Sequence, residues 1–468
     1  MLIPRIVTFT ASVLVFAWLT ALVSHGQQRR RRPLNRPPVS ASLNPEIVPI
    51  VRSIDARNIE TAIRKLVSFG TRNTLSDQTE PKRGIGAARD WLFLEFQKIA
   101  AASGGRMSVE KQTFEQAKGD RIPSPTMITN VVATLKGTRP ESVARTYVVS
   151  GHYDSMCGSA VDAKCDAPGA NDDASGTAVV LELARAMAPY QFDATIVFMA
   201  VAGEEQGLYG ATYFAEQAKR NNLDIEAMFT NDIVGNSLGG NGVRDRNTVR
   251  VFSEGVPTDE TSEEANIRRG VGGENDSTSR QLARFIKETA ERYVRGMRVI
   301  MVYRRDRYLR GGDHRPFLER RYPAVRFTET NEDYRHQHQN VRIENGIQYG
   351  DLPEFVDFSY TANVARINAA ALATLALAPA RPKAVGLVTA RLTNDTDLKW
   401  EANTETDLAG YEIVWRETTA PIWTNALFVG NVTSYTVKGM SKDNYFFGVR
   451  AVDRDGNRSP VSFPKPVR

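Results

Sequence analysis

Cysteine and histidine are scarce in this chain of 468 residues, which has two cysteines and five histidines. So few cysteines exclude a small protein held together by many disulfides and a zinc ribbon built from cysteine ligands. Hydrophobic residues make up 41% of the chain and charged residues 24%. These proportions are typical of a globular protein and exclude a disordered chain, a collagen-like chain and a multi-span membrane protein.

Excess positive charge is concentrated in one short segment. The formal net charge is +6, and five arginines lie at Arg29–Arg32 and Arg36. The rest of the chain is close to charge balance, which argues against a nucleic-acid partner.

A long apolar run lies near the N-terminus, between Val7 and Val23, and is followed by small residues. This pattern predicts a signal peptide over residues 1–26 and a protein that is exported, either secreted or periplasmic. An uncleaved signal anchor is the alternative, because the arginines that follow favour the cytoplasmic side of a membrane. Residues 27–45 are rich in Arg, Pro and Ser and predict a flexible basic tail.

From residue 46 to residue 377, apolar residues at helical spacing alternate with short runs rich in β-branched residues. Helices are predicted at residues 54–69, 84–101, 175–188, 211–220, 277–294 and 360–377. Strands are predicted at residues 130–135, 147–150, 195–202, 227–230 and 324–327. The alternation predicts an α/β domain whose sheet carries helices on both faces. Residues 236–274 are polar and rich in glycine, which indicates a long insertion near a site.

The composition changes at residues 378–384, which contain two prolines and are predicted to be a linker. Beyond it, residues 385–468 contain short strand-like segments separated by turn residues. Roughly seven such strands in about 85 residues predict a small all-β sandwich.

One histidine follows a predicted strand directly. His152 comes after the apolar strand 147–150, and open α/β sheets bind ligands at the carboxyl ends of such strands. Asp154 is placed to accept the other ring N–H of His152 and so fix its tautomer. A lone histidine is more often structural than a ligand, so the neighbouring acidic residues decide the interpretation.

Three acidic clusters lie at comparable positions. They are Asp172 with Asp173 at a helix start, Glu204 with Glu205 after one strand, and Asp232 after another. Capping accounts for one aspartate of the pair, and two adjacent glutamates are costly if buried without a partner. Carboxylate and imidazole ligands suit Zn²⁺ or a related divalent ion. Two ions would need a bridging carboxylate, and one glutamate would bind metal while the other served as a base.

The order and spacing of these clusters resemble the M28 family of di-zinc exopeptidases over about residues 50–377. The matching segments are residues 152–154, 168–176, 203–210, 231–235 and 312–318. The resemblance implies an α/β/α sandwich with a mostly parallel mixed sheet, and two zinc ions per chain.

Carried over by position, the resemblance assigns a role to each cluster. His152 and Asp232 would bind one zinc ion, Asp172 would bridge both, and Glu205 would bind the second. Glu204 would be the general base, and Asp154 joins it in the predicted catalytic set.

The resemblance leaves the fifth ligand open between two histidines. His336 has Asn340 at the spacing that the family shows for its histidine and a following aspartate. His338 is preferred, because related sequences carry Gln-His there. His314 follows Asp313 in a motif that the family keeps near the site, and we expect it either to support the site or to face the substrate, without binding metal.

The C-terminal strands resemble a fibronectin type III module at residues 398–400, 407–416 and 445–453. The resemblance places Trp400 and Tyr411 in the core and makes Tyr445 the candidate for a tyrosine corner. We expect this module to act as a spacer or to attach the protein to a surface or polymer.

The sequence therefore predicts a secreted zinc aminopeptidase, or a related exopeptidase, that hydrolyses N-terminal residues from peptides or proteins. A water activated by two zinc ions would attack, with Glu204 as base. The alternatives are a single-zinc transferase resembling glutaminyl cyclases and a non-catalytic binding protein on the same fold. Export also predicts a disulfide between Cys157 and Cys165, which lie in one loop.

Overall fold

The structure of this chain is a computed structural model that describes residues 43–468. The predicted signal peptide and nearly all of the basic tail lie outside the described residues. Within the described part, no helix is both long enough and apolar enough to cross a membrane.

The helices of the described chain are numbered α1 to α10. They span Ile47–Ser53, Ala56–Val67, Ile85–Ala100, Ala174–Met187, Glu204–Gly207, Tyr209–Arg220, Ser262–Val271, Thr278–Tyr293, Arg315–Leu318 and Phe358–Leu377. Asp55, Asp173, Ser277 and Asp357 each accept a backbone N–H in the first turn of the helix that follows. Such caps satisfy donors that have no partner within the helix, and they fix where these helices begin. The six predicted helices are all present.

The strands are numbered β1 to β17. Strands β1 to β8 span Met107–Gln116, Thr126–Leu135, Arg145–His152, Thr195–Val201, Asp224–Asn231, Thr248–Phe252, Arg298–Val302 and Ala324–Glu329. Strands β9 to β17 span Arg342–Glu344, Ile347–Tyr349, Gly386–Val388, Thr396–Lys399, Leu408–Glu417, Asn425–Gly430, Ser434–Val437, Tyr445–Asp453 and Lys465–Val467. We call residues 47–377 the α/β body and residues 386–467 the C-terminal sandwich.

Strands β1 to β8 form one sheet in the order β1-β2-β4-β3-β5-β8-β6-β7. Strands β4, β3, β5 and β8 are parallel neighbours, whereas β1, β2 and β4 pair antiparallel, as do β6 and β8. Every residue of β3 and β4 is buried, as expected of strands covered on both faces. The sheet is therefore mixed with a parallel centre, and the predicted fold class is confirmed.

Helices cover both faces of this sheet. Helices α1, α2, α3, α4, α8 and α10 contribute buried side chains to the larger core. Helices α6 and α9 pack on the other face through Ala211, Ala215 and Phe317. The central strands of the sheet are therefore covered by helices on both faces.

The predicted insertion at residues 236–274 is wrong in part. This segment contains β6, which is a strand of the central sheet, and α7. Val249 and Val251 of β6 are fully buried. These two valines form only a short alternating pattern with polar loops on both sides. The polar composition of the whole segment therefore gave no indication of a strand.

The C-terminal sandwich consists of a four-stranded sheet, β15-β12-β11-β17, and a three-stranded sheet, β14-β13-β16. Leu398, Trp400, Tyr411 and Phe447 belong to the core between them. The small all-β sandwich predicted from the sequence is present. The core tyrosine with a backbone hydrogen bond is Tyr411, whose hydroxyl accepts the N–H of Asn403 at 2.7 Å, rather than the predicted Tyr445.

Buried charges join the C-terminal sandwich to the α/β body. Asp276, which lies just before α8, accepts hydrogen bonds from Arg284 of α8 at 3.0 Å and from Arg416 of β13 at 2.7 Å. None of these three side chains is more than 3% exposed. Arg450 of β16 also pairs with Glu288 of α8 at 3.0 Å. The two parts therefore share a desolvated polar contact.

Candidate metal centre

The carboxyl ends of adjacent parallel strands bring the predicted residues together. His152 ends β3, Asp232 directly follows β5, and Glu204 with Glu205 opens α5 after β4. Asp172 lies two residues before α4. All of these positions share the sheet edge where α/β proteins bind ligands, as the sequence predicts.

Asp172 lies between two imidazoles. Its Oδ1 is 3.2 Å from Nε2 of His152, and its Oδ2 is 3.0 Å from Nε2 of His338. The two oxygens of one buried carboxylate therefore face two different nitrogen ligands. A carboxylate that bridges two cations presents its oxygens in this way.

Two further carboxylates complete the cluster. Oδ1 of Asp232 is 3.8 Å from Nε2 of His152, and Oε2 of Glu205 is 3.2 Å from Nε2 of His338. Oε1 of Glu205 is buried and lacks a hydrogen-bond donor among the described residues. Burial lowers the pKa of His338, but Glu205 and Asp172 outweigh it and raise that pKa to about 11. The cluster thus favours positive charge, and its nitrogen and oxygen ligands fit two divalent cations such as Zn²⁺.

The second aspartate of the pair has a different role from Asp172. Oδ1 of Asp173 accepts the N–H of Gly176 at 2.9 Å and so caps α4, while its Oδ2 accepts the N–H of His152 at 3.0 Å. Asp351 accepts the backbone N–H of Asp172 at 2.7 Å. Asp173 and Asp351 therefore hold the backbone of the residues whose side chains enter the cluster.

Asp154 contacts both His152 and the backbone of the glutamate pair. Its backbone oxygen is 3.2 Å from Nδ1 of His152, and its carboxylate Oδ1 is 3.5 Å from the same nitrogen. Its carboxylate also accepts the N–H groups of Glu204 and Glu205, at 3.4 and 3.1 Å. Asp154 is fully buried and is a positioning residue in this structure.

Glu204 is the half-buried member of the glutamate pair and lines the cleft above the cluster. Gly203, with φ of 78°, turns the chain from β4 into α5, a conformation that favours glycine. Ligand atoms of Glu204, His152 and Asp232 lie within 4.8 Å of one another. Burial raises the pKa of Glu204 well above its usual value. Its carboxylate is thus placed to exchange a proton beside the cluster.

The structure separates the two candidate histidines. The His336 ring stacks on Phe355 with 3.6 Å between centroids and lies 3.8 Å from Asp333. His338 faces Asp172 and Glu205. Asn340, which suggested His336, accepts the N–H of Gly158 at 3.0 Å instead of contacting a ligand.

His314 supports a neighbouring loop. It is fully buried, and its Nε2 lies 2.8 Å from the backbone oxygen of Arg305. Burial lowers its pKa to about 4, which keeps the ring neutral. It does not line the cleft.

Two polar contacts of the centre were missed in the sequence. Arg326 of β8 is fully buried and pairs with Oδ1 of Asp232 at 2.9 Å. Gln337 donates to Oδ2 of Asp172 at 3.0 Å. Asp313, which belongs to a motif expected near the site, makes no such contact, because both of its oxygens are buried without a donor in the described chain; burial raises its pKa to about 8. One signal was available, since Arg326 interrupts an apolar strand and such a buried charge needs a partner.

The loop between His152 and Asp172 is fixed at several points. Cys157 and Cys165 form a disulfide, as predicted. Arg72 is fully buried and donates to the backbone oxygens of Tyr153, Pro168 and Gly169 at 2.6–2.9 Å. Both ends of the loop are therefore held against the α/β body.

A cleft of about 790 Å³ opens above the cluster. Asp172, Glu204, Glu205, Asp232 and His338 all line it. No residue of the described segment 236–274 lines this cleft, although Asn236 lines a smaller cavity beside Asp172. A cleft of this size is large enough for a short peptide.

Comparison with known proteins shows the family to which this chain belongs. The model of peptidase family M28 matches residues 130–358. A probable zinc metalloprotease of Leptosphaeria maculans is 52% identical over 421 residues, covering 90% of this chain and 97% of that protein. A probable zinc metalloprotease of Pyricularia oryzae is 50% identical over 419 residues, covering 88% and 83%. This chain belongs to peptidase family M28, and the prediction of a zinc-dependent peptidase is confirmed.

Solved structures with the same fold have far lower identity. An aminopeptidase from Aneurinibacillus sp. strain AM-1 is 15% identical, with a TM-score of 0.50 over 71% of this chain and 96% of that one. LapB from Legionella pneumophila is 18% identical, with a TM-score of 0.50 over 71% and 75%. These two likenesses concern the fold alone.

Proposed function

We propose that this protein is a di-zinc aminopeptidase. The observation that carries the proposal is the position of Asp172, whose two carboxylate oxygens face the separate imidazoles of His152 and His338. A site for one ion needs no such bridge. The glutaminyl-cyclase-like alternative, with its single zinc, is for this reason not favoured.

The residues that would hold the ions form two sets that share one member. His152, Asp172 and Asp232 would hold one ion, and Asp172, Glu205 and His338 the other. When bound, the two ions supply positive charge that acidifies a water and polarises the scissile carbonyl.

The remaining chemistry belongs to the chain's own residues. Glu204 lines the cleft and, as general base, takes a proton from the attacking water. The same carboxyl group then delivers the proton to the leaving amine. The carboxylate of Asp154 accepts the backbone N–H of Glu204 and so keeps that residue in place, and the backbone oxygen of Asp154 orients the ring of His152.

The choice of an aminopeptidase rests on the motifs, whose order resembles that of M28 exopeptidases. The test is a panel of aminoacyl-nitroanilides, each with a matched N-acetylated form, assayed with and without chelator. Chelator-sensitive release from the free amines alone supports the proposal, and equal release from the acetylated forms contradicts it.

We also propose roles for three segments of the chain. Residues 1–26 would direct export, and residues 46–377 would be the peptidase domain. Residues 385–468, after a linker at 378–384, would be a fibronectin type III-like module. Support for the module comes from the sandwich architecture with Trp400 and Tyr411 in its core. Attachment to a surface or polymer through this module would use its faces away from the α/β body.

A further inference from the structure

The charge of the cleft lining is unbalanced once the metal centre is set aside. The lining carboxylates of the described chain are Asp120, Asp172, Glu204, Glu205 and Asp232. All except Asp120 belong to the proposed centre, where two divalent ions would balance them. The same lining holds four arginines, Arg121, Arg307, Arg310 and Arg315. Outside the centre, arginines therefore outnumber carboxylates in the lining.

Two of these arginines share one carboxylate with a third. Glu332 pairs with Arg250 at 2.9 Å, with Arg307 at 2.9 Å and with Arg310 at 3.3 Å. Arg307 also pairs with Asp306 at 3.3 Å, and Asp306 pairs in turn with Arg326 at 3.1 Å, so two carboxylates face four guanidinium groups and positive charge remains. Arg307 is 9% exposed, whereas Arg310 is 33% exposed and opens into the cleft.

The other two arginines lie on different elements. Arg121 comes from the β1–β2 connection, is exposed, and donates to the backbone oxygen of Glu205 at 2.7 Å. Arg315 opens α9, is 32% exposed, and has one acidic neighbour, Glu319, at 3.6 Å. We call Arg121, Arg310 and Arg315 the arginine rim.

We propose that the arginine rim selects peptides that carry a carboxylate close to the scissile bond. The inference rests on the proposed function, because it requires that a peptide binds in this cleft. Guanidinium groups bind carboxylates by paired, charge-assisted hydrogen bonds, and the field of several such groups also steers anions into a cleft. The carboxylate has two possible sources, an Asp or Glu side chain of the substrate or the free C-terminus of a short peptide.

Three dipeptides with the same N-terminal residue separate these sources. They are leucyl-glutamate amide, leucyl-glutamine with a free carboxylate, and leucyl-glutamine amide, which has neither negative group. With zinc-loaded full-length protein, we expect kcat/KM for at least one of the first two to exceed that of the neutral amide by about tenfold. The preferred peptide identifies the source.

Two variants test whether the rim is responsible. Arg310→Gln and Arg315→Gln should each reduce the preference severalfold while leaving hydrolysis of leucyl-glutamine amide in place. Arg64→Gln is the matched control, since Arg64 is a half-exposed arginine of α2 that pairs with Glu60 outside the cleft. It should leave the preference unchanged.

The outcomes distinguish this inference from the proposed function. Chelator-sensitive hydrolysis of all three peptides at similar kcat/KM would support the peptidase and overturn the selection by charge. A preference that persists in both rim variants would also overturn the role of the rim. Hydrolysis of none of the three would overturn both proposals.

Discussion

At the scale of single residues, neighbours in the sequence have separate roles in this centre. Asp172 directs its side chain between His152 and His338, whereas Asp173 caps α4 and holds the backbone of His152. Glu205 faces His338, and Glu204 lines the cleft beside it. In each pair one carboxylate enters the metal cluster, and the other either supports that geometry or is free to react.

Glu204→Gln should retain zinc and lose turnover. The amide keeps the shape of the side chain but is not a base, and loss of a general base costs about 10²–10⁴-fold. The check is kcat on the best nitroanilide together with zinc content. Activity within tenfold of wild type at full zinc occupancy would show that Glu204 is not the base.

The two histidines of the loop after β8 should behave differently when removed. His338→Ala would leave one ion with only Asp172 and Glu205, too few ligands for a stable zinc site, so one zinc should be lost. His336→Ala is the matched control and should keep both, because its ring packs on Phe355. Elemental analysis of the zinc content of both variants after dialysis tests this difference. Loss of one zinc from His336→Ala instead would reverse the assignment.

At the scale of elements, the sequence predicts those helices and strands that are buried and have a regular apolar pattern. Strands β3, β4 and β5 and the six long helices have apolar patterns, and the acidic clusters at their ends could therefore be placed on one edge. Strand β1 was missed because most of its side chains are polar or exposed, and it forms by pairing with β2 along its whole length. Arg326 and Asp232 are far apart in the sequence, and nothing in the residues around either one identifies the other as its partner. His338, which faces the cluster, lies in a loop. A loop has no helix or strand periodicity from which the direction of a side chain could be predicted.

The loop between His152 and Asp172 provides a test at this scale. Replacing both Cys157 and Cys165 with serine removes the disulfide that closes this segment. The loss should cost roughly 2–3 kcal/mol and lower the thermal unfolding midpoint. Reduction of the wild-type protein should lower the midpoint similarly. Two reactive thiols in the unreduced, unfolded protein would contradict the disulfide.

At the scale of the whole molecule, the C-terminal sandwich is packed against the α/β body. Asp276 lies between Arg284 of the body and Arg416 of the sandwich, and all three side chains are buried. This contact differs from the loose attachment that a spacer module would have. We therefore expect the two parts to unfold together.

Asp276→Ala should destabilise the whole chain. It leaves two buried guanidinium groups without their carboxylate, and breaking a buried pair in this way costs about 3–5 kcal/mol. Calorimetry should show one transition at a lower temperature. Glu288→Ala, which removes the half-exposed partner of Arg450, is the control and should have a small effect. Equal effects of the two variants would contradict the importance of the buried contact.

The number of zinc ions per chain tests the central claim most directly. Wild-type protein, dialysed and measured by elemental analysis, should hold close to two zinc ions per chain, with activity that follows occupancy of both. Asp172→Ala should lose both together, because one carboxylate serves the two sets of ligands. A fully active wild-type protein with one zinc, or an Asp172→Ala variant that keeps two, would contradict the bridged two-ion centre.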